Sequence, residues 1–487
     1  MLLSKLLEGV EYEGKGLPLE AEIEQVTCDS RRVTPQSVFV CVRGIKSDGH
    51  QYAAGAVQRG AKAVVTDYDL GLEHQILVPN TRRAYALMCG NLNGNPAAKL
   101  KLLAVTGTNA KTTITYVLKH ILEHAGKKTG LIGTIQNEIG DMVFPAKHTT
   151  PDPAELHALF SRMAQAGCEY VVMEASSHAL DQERLAGCRF VCGIFTNLTQ
   201  DHLDYHITME NYYQAKRKLF DMCESSVINV DDAYGQRLFD ELAGKKASFA
   251  ALGTADFSAR ESVLGQNGCT FQLEYEGKRY PCSFRMPGRF SISNALAAIG
   301  CAVQAGLSVS QAVQGINTCE GVSGRSEVLD VGTDFTVIRD YAHAADSLEK
   351  TISTVREFAA GRVITLFGCA GNRDRGKRPK MGEVASRLSD LVIFTSDNPR
   401  DESVQQIIDD TMPGLLRHPT RFEVIPDRYQ AIRWALEHCE PGDVLLLAGK
   451  GHEDYQVLDY GTIYFDEKEI VKDLAGQLGL RKGRRDV

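Results

Sequence analysis

No stretch of the chain approaches the roughly 18 consecutive apolar residues of a membrane-spanning helix, so nothing supports a transmembrane segment. Residues 1–8 are amphipathic and lack the apolar centre of a secretory signal. The thirteen cysteines are odd in number and form no C-x-x-C pair. That argues against a disulfide scaffold and points to buried free thiols in a reducing cytoplasm. Positive charge is not in surplus either. The formal net charge of −8 disfavours a nucleic-acid partner but leaves room for a small anionic substrate in a local basic pocket. The terminal cluster Arg481, Lys482, Arg484 and Arg485 reads as a solvated tail. Glycine, finally, is missing where the phosphate-loop consensus G-x-x-x-x-G-K-[ST] needs it, because Val105 and Ala110 hold its two glycine positions.

What stands there is Gly107-Thr108-Asn109-Ala110-Lys111-Thr112-Thr113, directly after the apolar run 102–105. An apolar strand feeding a short turn, then a lysine and hydroxyl residues, is how a phosphate site is built. Backbone N–H groups and a helix N-terminus cradle the anion, Lys111 meets the outer phosphates, and a threonine hydroxyl such as that of Thr112 holds Mg²⁺. Ala110 is strained if that position needs positive φ and harmless if it opens the helix.

With 487 residues the chain has room for two to four domains. Three blocks emerge. Residues 1–98 hold strand-like runs at 37–42 and 63–65 with a helical stretch at 51–59 between them, a small α/β unit ending near Gly94-Asn95-Pro96. Residues 99–328 alternate strand and helix: a strand at 101–105, a helix from 112 to 124, and buried strands at 170–173 and 191–195. This predicts a mostly parallel sheet with its sites at the strand C-terminal ends. Around 269–284 the period changes to two on either side of Glu276-Gly277-Lys278, which reads as an appended antiparallel hairpin. Residues 329–487 carry a third series, with strands at 335–338, 363–367, 391–394 and 444–447. The fold class is α/β.

Polar clusters follow these strands. Glu174, Ser176, Ser177 and His178 follow the strand at 170–173, while Thr196-Asn197 and Asp201-His202-Leu203-Asp204-Tyr205-His206 follow the one at 191–195. If the two strands flank the phosphate loop, Glu174 and His202 become metal-ligand candidates, Glu174 offering the hard oxygen that Mg²⁺ prefers. A histidine at a strand end is often a hydrogen-bonded structural group instead, and His206 stays open between these roles. Lys216, read alone, is an ordinary helix lysine, and Arg289 and Arg325 are glycine-flanked arginines that fit a phosphate or a plain turn. In the third block, Gly371-Asn372-Arg373-Asp374-Arg375-Gly376-Lys377-Arg378, too basic and glycine-rich for a core element, Asp397-Asn398-Pro399-Arg400 and Gly449-Lys450-Gly451-His452-Glu453-Asp454 each follow a strand. Loops mixing Arg with Glu and Asp at one sheet edge suit a zwitterionic substrate.

Taken in order, these motifs resemble the Mur ligase family over nearly the whole chain. Asp29-Ser30-Arg31, Asp48-Gly49-His50, Thr149-Thr150-Pro151, Ala215-Lys216, Gly288-Arg289-Phe290, Asn294-Ala295 and Asp340-Tyr341-Ala342-His343 join those already named. The resemblance implies three domains: residues 1–98 bind a UDP substrate, 99–328 form a P-loop ATPase-type domain, and 329–487 form a Rossmann-like domain admitting an amino acid. It implies ATP-dependent amide formation, in which meso-diaminopimelate is added to UDP-N-acetylmuramoyl-L-alanyl-D-glutamate with Mg²⁺. Ser30, Thr149, Thr150, Ser176, Gln182 and Arg184 would hold the UDP substrate. The loop 107–113, with Asn294, Arg325, Asp340 and His343, would serve ATP. Thr112, Glu174, His202 and Lys216 would surround the metals, with Lys216 carbamylated. Arg373, Asp397, Asn398, Pro399, Arg400, Gly449 and Glu453 would hold diaminopimelate, Arg400 taking its distal carboxylate. Ala344-Ala345 departs from the family's usual Thr-Pro. No membrane or nucleic-acid partner is expected, and a monomer is favoured. A folylpolyglutamate synthetase would share the ATPase core, but Asp29-Ser30-Arg31 and the long N-terminal unit argue against it. A catalytically silent nucleotide-binding protein would not need Lys111, Glu174 and His202 together.

Overall fold

A computed structural model describes all residues except 15, 45, 46 and 481–487, so the basic C-terminal cluster lies outside the described residues. The chain divides into two compact units, Met1–Ser258 with Leu296–Gly315, and Ala259–Ala295 with Ile316–Val487. They cut the chain differently from the three sequence blocks, because the hairpin region falls in the second unit.

The first unit holds two sheets. In the first, Gln25–Thr27, Ser37–Val40, Ala63–Thr66 and Gln75–Leu77 pair in chain order, all parallel. Val38 and Val40 face one core with Leu3, Leu6, Ile76 and Met88, while Phe39 and Val64 face another with Ala53 and Ala56. Burial on both faces is why these strands read as unbroken apolar runs rather than alternating ones.

In the second sheet Lys101–Thr106 lies between Tyr170–Glu174 and Phe190–Phe195, parallel to both. The sequence condition for a shared site is thereby met. Cys223–Asn229 and Lys245–Ala250 extend the sheet on one side and Thr129–Ile132 on the other. The helix Lys111–His124 closes the first crossover by burying Ile114, Val117, Leu118, Ile121 and Leu122, the i, i+3, i+4, i+7, i+8 stripe of an amphipathic helix.

In the second unit Gly268–Tyr275 and Lys278–Phe284 form the expected antiparallel hairpin. Its two turn residues, Glu276 and Gly277, both have positive φ (49° and 72°), which matches the twist of the strands. The main sheet runs Glu327–Leu329, Thr336–Asp340, Val444–Ala448, Val363–Cys369, Leu391–Ser396, Arg421–Val424, parallel except for the first strand. Apolar cores cover both faces. A fully buried ion pair, Arg428 Nε to Glu467 Oε1 at 2.7 Å, joins the helices Arg428–His438 and Glu467–Gln477. The same guanidinium donates to the Ser396 and Ala448 carbonyls, which fixes the ends of two central strands.

All thirteen cysteines are free. Among the described residues no helix is long and apolar enough to cross a membrane.

Removing one partner of a buried pair strands the other charge, which costs about 3–5 kcal/mol. Glu467→Ala is expected to lower the stability of this unit by about that amount. The protein's single tryptophan, Trp434, sits on the helix carrying Arg428, so the urea midpoint of its fluorescence measures the loss directly.

Candidate functional site

The phosphate-type loop is held in shape by its neighbour strand. Thr108 N donates to the Asn197 carbonyl (2.9 Å), Asn109 N to Asn197 Oδ1 (3.0 Å), and Thr196 Oγ1 to the Asn109 carbonyl (2.8 Å). Gly107 has φ 149°, and a Cβ there would lie 1.8 Å from Thr196 Oγ1, so only glycine allows this approach. Ala110 caps the helix at φ 70°, ψ −6°. Of the two readings left open for it, the strained one is correct: an L-residue in this region costs on the order of 1–2 kcal/mol relative to glycine. Lys111 folds back, its ammonium donating to the Gly107 and Thr108 carbonyls at 2.9 and 3.0 Å. Thr113 is buried at the start of the helix.

Glu174, at the end of the adjacent strand, is buried among hydroxyls. Its Oε1 accepts from Thr112 Oγ1 (3.0 Å) and Thr134 N (2.8 Å), and its Oε2 from Thr134 Oγ1 (3.0 Å). Thr134 also meets Thr149 Oγ1 at 3.0 Å. Thr134 was not foreseen, since nothing local to it marks a site. The hard oxygens of Thr112 and Glu174 fit Mg²⁺. Among the described residues, however, no group of three or more His, Cys, Asp or Glu side chains is gathered for a metal.

Lys216 is fully buried on the helix Met209–Arg217, and its Nζ donates to the Gly107 carbonyl at 2.7 Å. Burial, reinforced by Lys111, holds its pKa well below that of an ordinary lysine. The solvated-lysine reading is therefore wrong: the helix turns this residue inward under the loop. Its ammonium lies 4.5 Å from the centroid of the Tyr212 ring, whose hydroxyl meets Thr108 Oγ1 at 3.2 Å. Three histidines, His178, His202 and His206, cluster here. His206 bonds Ser177 Oγ at 2.9 Å and stacks on Tyr212 at 4.9 Å, with burial, then His178, pushing its pKa down to about 4. It is thus a structural group. His202, half-exposed at φ 52°, lies 5.0 Å from the His178 ring.

The predicted substrate residues gather nearby. Thr150 Oγ1 donates to the Glu174 carbonyl (2.7 Å) and meets Ser176 Oγ (3.2 Å). Arg184 donates to the Thr150 carbonyl (2.9 Å) and to Gln182 Oε1 (2.9 Å). Ser30 belongs to the separate four-stranded part, in a turn capped by Asp29, whose carboxylate accepts from Arg31 N at 3.0 Å.

In the second unit the three strand-end loops do meet. Gly371 N donates to the Asn398 carbonyl (3.0 Å), Asn398 Nδ2 to Glu453 Oε2 (3.0 Å), and Arg400 Nη1 to the Gly371 carbonyl (2.7 Å). A Cβ on Gly371 would collide with the Pro399 carbonyl at 1.9 Å, and one on Gly449 would lie 2.8 Å from Asp397 Oδ2. Arg400 does not pair with Asp401 or Glu402 in solvent. Glu402 is taken by Arg378, and Asp401 by Asn372. Arg373 is exposed on its loop.

Asp340 has both oxygens engaged, by Ser326 N (2.7 Å) and Ala342 N (2.9 Å) among others, so it holds the turn that carries Arg325. Arg325 lies 4.7 Å over the Tyr341 ring, and its buried Nε has no hydrogen-bond partner among the described residues. His343 is exposed, its Nδ1 at 2.7 Å from the Tyr341 carbonyl. Asn294 is buried in the helix Arg289–Gln304.

Residues 22–87 match the Mur ligase family catalytic domain, 105–302 the Mur ligase middle domain, and 324–451 the Mur ligase glutamate ligase domain. A relative from Clostridium tetani, named UDP-N-acetylmuramoyl-L-alanyl-D-glutamate--2,6-diaminopimelate ligase, is 42% identical and covers 98% of this chain and 100% of its own. A solved structure of a ligase of that name superposes with a TM-score of 0.75 at 30% identity, covering 98% of this chain and 99% of its own. A folylpolyglutamate synthase from Thermotoga maritima shares the fold at 17% identity and a TM-score of 0.59, over 76% of this chain and 89% of its own. Loops, strand order and end-to-end likeness agree: this chain belongs to the Mur ligase family.

Proposed function

We propose that this chain is an ATP-dependent ligase that joins meso-diaminopimelate to the D-glutamyl carboxylate of UDP-N-acetylmuramoyl-L-alanyl-D-glutamate, a step in making peptidoglycan precursors. The observation that carries it is the end-to-end likeness to a ligase of that name. Residues 1–98 are assigned to the UDP substrate, 99–328 to a P-loop ATP-binding domain and 329–487 to a Rossmann-like amino-acid domain.

A free carboxylate is a poor acyl donor because oxide would have to leave. In the proposed reaction a carboxylate oxygen attacks the γ-phosphorus of ATP, ADP departs, and an acyl phosphate forms. The amine then attacks the acyl carbon, loses a proton and expels phosphate. Lys111 would leave the loop carbonyls it now contacts and pair with the γ-phosphate oxygens. Thr112 and Glu174, with His202 and a modified Lys216, would hold Mg²⁺, which would supply neutralisation of the charge that moves onto those oxygens. Thr150, Ser176, Gln182 and Arg184 orient the peptide arm, and Ser30 the uridine end. Arg325, on the turn held by Asp340, serves ATP together with Asn294 and His343.

Burial lowers the Lys216 pKa and so favours the neutral amine, the form that attacks the carbon of CO₂, making an N–C bond and releasing one proton. The product is a carbamate, which would place an anion beside the metal where the lysine amine stood.

Lys111→Ala is expected to lower ADP and tripeptide formation roughly 10²–10³-fold with the fold retained, as checked by product assay and circular dichroism. Near-normal turnover would remove Lys111 from the mechanism. Lys216→Ala should lose activity and regain part of it with added short carboxylic acids, and native crystals should show density at Nζ continuing into a carboxylate. A bare amine in an active, nucleotide-loaded crystal would end the carbamate proposal.

The amino-acid choice rests on Arg400. meso-Diaminopimelate differs from L-lysine by a distal carboxylate that a guanidinium pairs with in bidentate fashion, with Asn398 and Glu453 alongside and Arg373 at the other carboxylate. Leaving that guanidinium unpaired costs on the order of 2–5 kcal/mol, so kcat/KM should favour meso-diaminopimelate roughly 30-fold or more. Arg400→Ala should erase most of this margin. A native enzyme that uses L-lysine equally well would overturn the assignment.

A further inference from the structure

Lys450 has a fully buried side chain on the loop after the strand Val444–Ala448, yet no role in the reading above. Its ammonium reaches three acceptors: Asn398 Oδ1 at 3.5 Å, Glu453 Oε2 at 3.4 Å, and the Tyr455 carbonyl. A lysine ammonium has three N–H donors, so these acceptors match its whole capacity. Two of the three belong to side chains assigned to the amino acid.

The consequences for those side chains are geometric. Asn398 Oδ1 also accepts from Val457 N at 2.9 Å, so the amide oxygen is turned towards two donors and Nδ2 is turned to Glu453 Oε2 at 3.0 Å. Oε2 of Glu453 then takes both Asn398 and Lys450, which directs an incoming ammonium to Oε1. The balance of charge is set as well. In the two segments 397–400 and 449–453, Asp397 and Glu453 are the anions, and Arg400 and Lys450 the cations. The set is neutral, as suits the distal end of an amino acid that carries both an ammonium and a carboxylate. Without Lys450 the set would be net negative and would suit a side chain that is only a cation.

We propose that Lys450 is a positioning residue that makes the site selective for a zwitterionic side chain, by clamping Asn398 and Glu453 and by cancelling one of the two carboxylates. This rests on the ligase reading and adds to it the group that tunes the amino-acid end.

The test uses the full-length enzyme with ATP, the UDP substrate, and either meso-diaminopimelate or L-lysine. Lys450→Met keeps an unbranched side chain only one atom shorter and removes the charge. It should raise KM for meso-diaminopimelate about tenfold and lower the kcat/KM ratio of meso-diaminopimelate to L-lysine about tenfold, with KM for ATP and for the UDP substrate unchanged. In a Glu453→Gln background the same replacement should change that ratio less than about twofold, because its partner is already neutral. If Lys450→Met alone does not fold, the Lys450→Met, Glu453→Gln double variant removes both charges and is compared with Glu453→Gln; the expected result is equal selectivity. A parallel rise in KM for all three substrates, an unchanged ratio, or full additivity of the two replacements would overturn the role. Native enzyme that forms no product with meso-diaminopimelate would instead sink the underlying ligase reading, so the two failures are distinct.

Discussion

The first unit depends on how closely two strand ends approach each other. Gly107 ends one strand and Thr196 the next, and the threonine hydroxyl occupies the space a side chain on residue 107 would fill. That contact lets Asn197 hold the loop backbone and leaves the Gly107 carbonyl facing inward, where Lys216 reaches it. The lysine under the loop and the lysine on it are therefore both organised by carbonyls of the same short turn. An anion arriving at this place meets a scaffold already biased towards negative charge.

The second unit solves a different problem with similar means. Its strands end side by side, and its loops are tied through backbone carbonyls and one amide side chain, Asn398. Buried arginines do the anchoring behind them. Arg428 fixes two strand ends with Glu467, and Arg378 gathers Glu402 and Asp410. Those acids are thereby removed from competition for Arg400. A guanidinium whose nearby carboxylates are already committed is available for the carboxylate of a substrate.

Much of this was legible in the sequence because parallel strands buried on both faces announce themselves as short apolar runs, and the polar residues right after them mark one sheet edge. The strands at 101–106, 170–174 and 190–195, the hairpin around Glu276-Gly277 and the three loops of the second unit were all visible in that way. Side chains whose role comes from register between distant segments were not. Thr134 reaches Glu174 across forty positions of chain, and Tyr212 touches Thr108 only because two crossovers bring them together. Lys216 looked like a surface lysine because its helix reads as polar, and its inward turn follows from packing against the loop. Lys450 sat in plain view in a glycine-flanked motif, but only its burial separates it from a solvated neighbour. The unit boundaries were hidden for a related reason, since the chain leaves one compact unit and returns to it through the helix Arg289–Gln304.

The left-handed alanine at position 110 makes the shape of the loop conditional rather than intrinsic. A glycine would rest in that conformation unaided, whereas alanine rests there only while the contacts from Thr196 and Asn197 outweigh its own preference. The turn thus behaves as a latch held shut by the neighbouring strand. Any disturbance of Phe190–Phe195 therefore reaches the loop at 107–113 through the hydrogen bonds of Thr196 and Asn197.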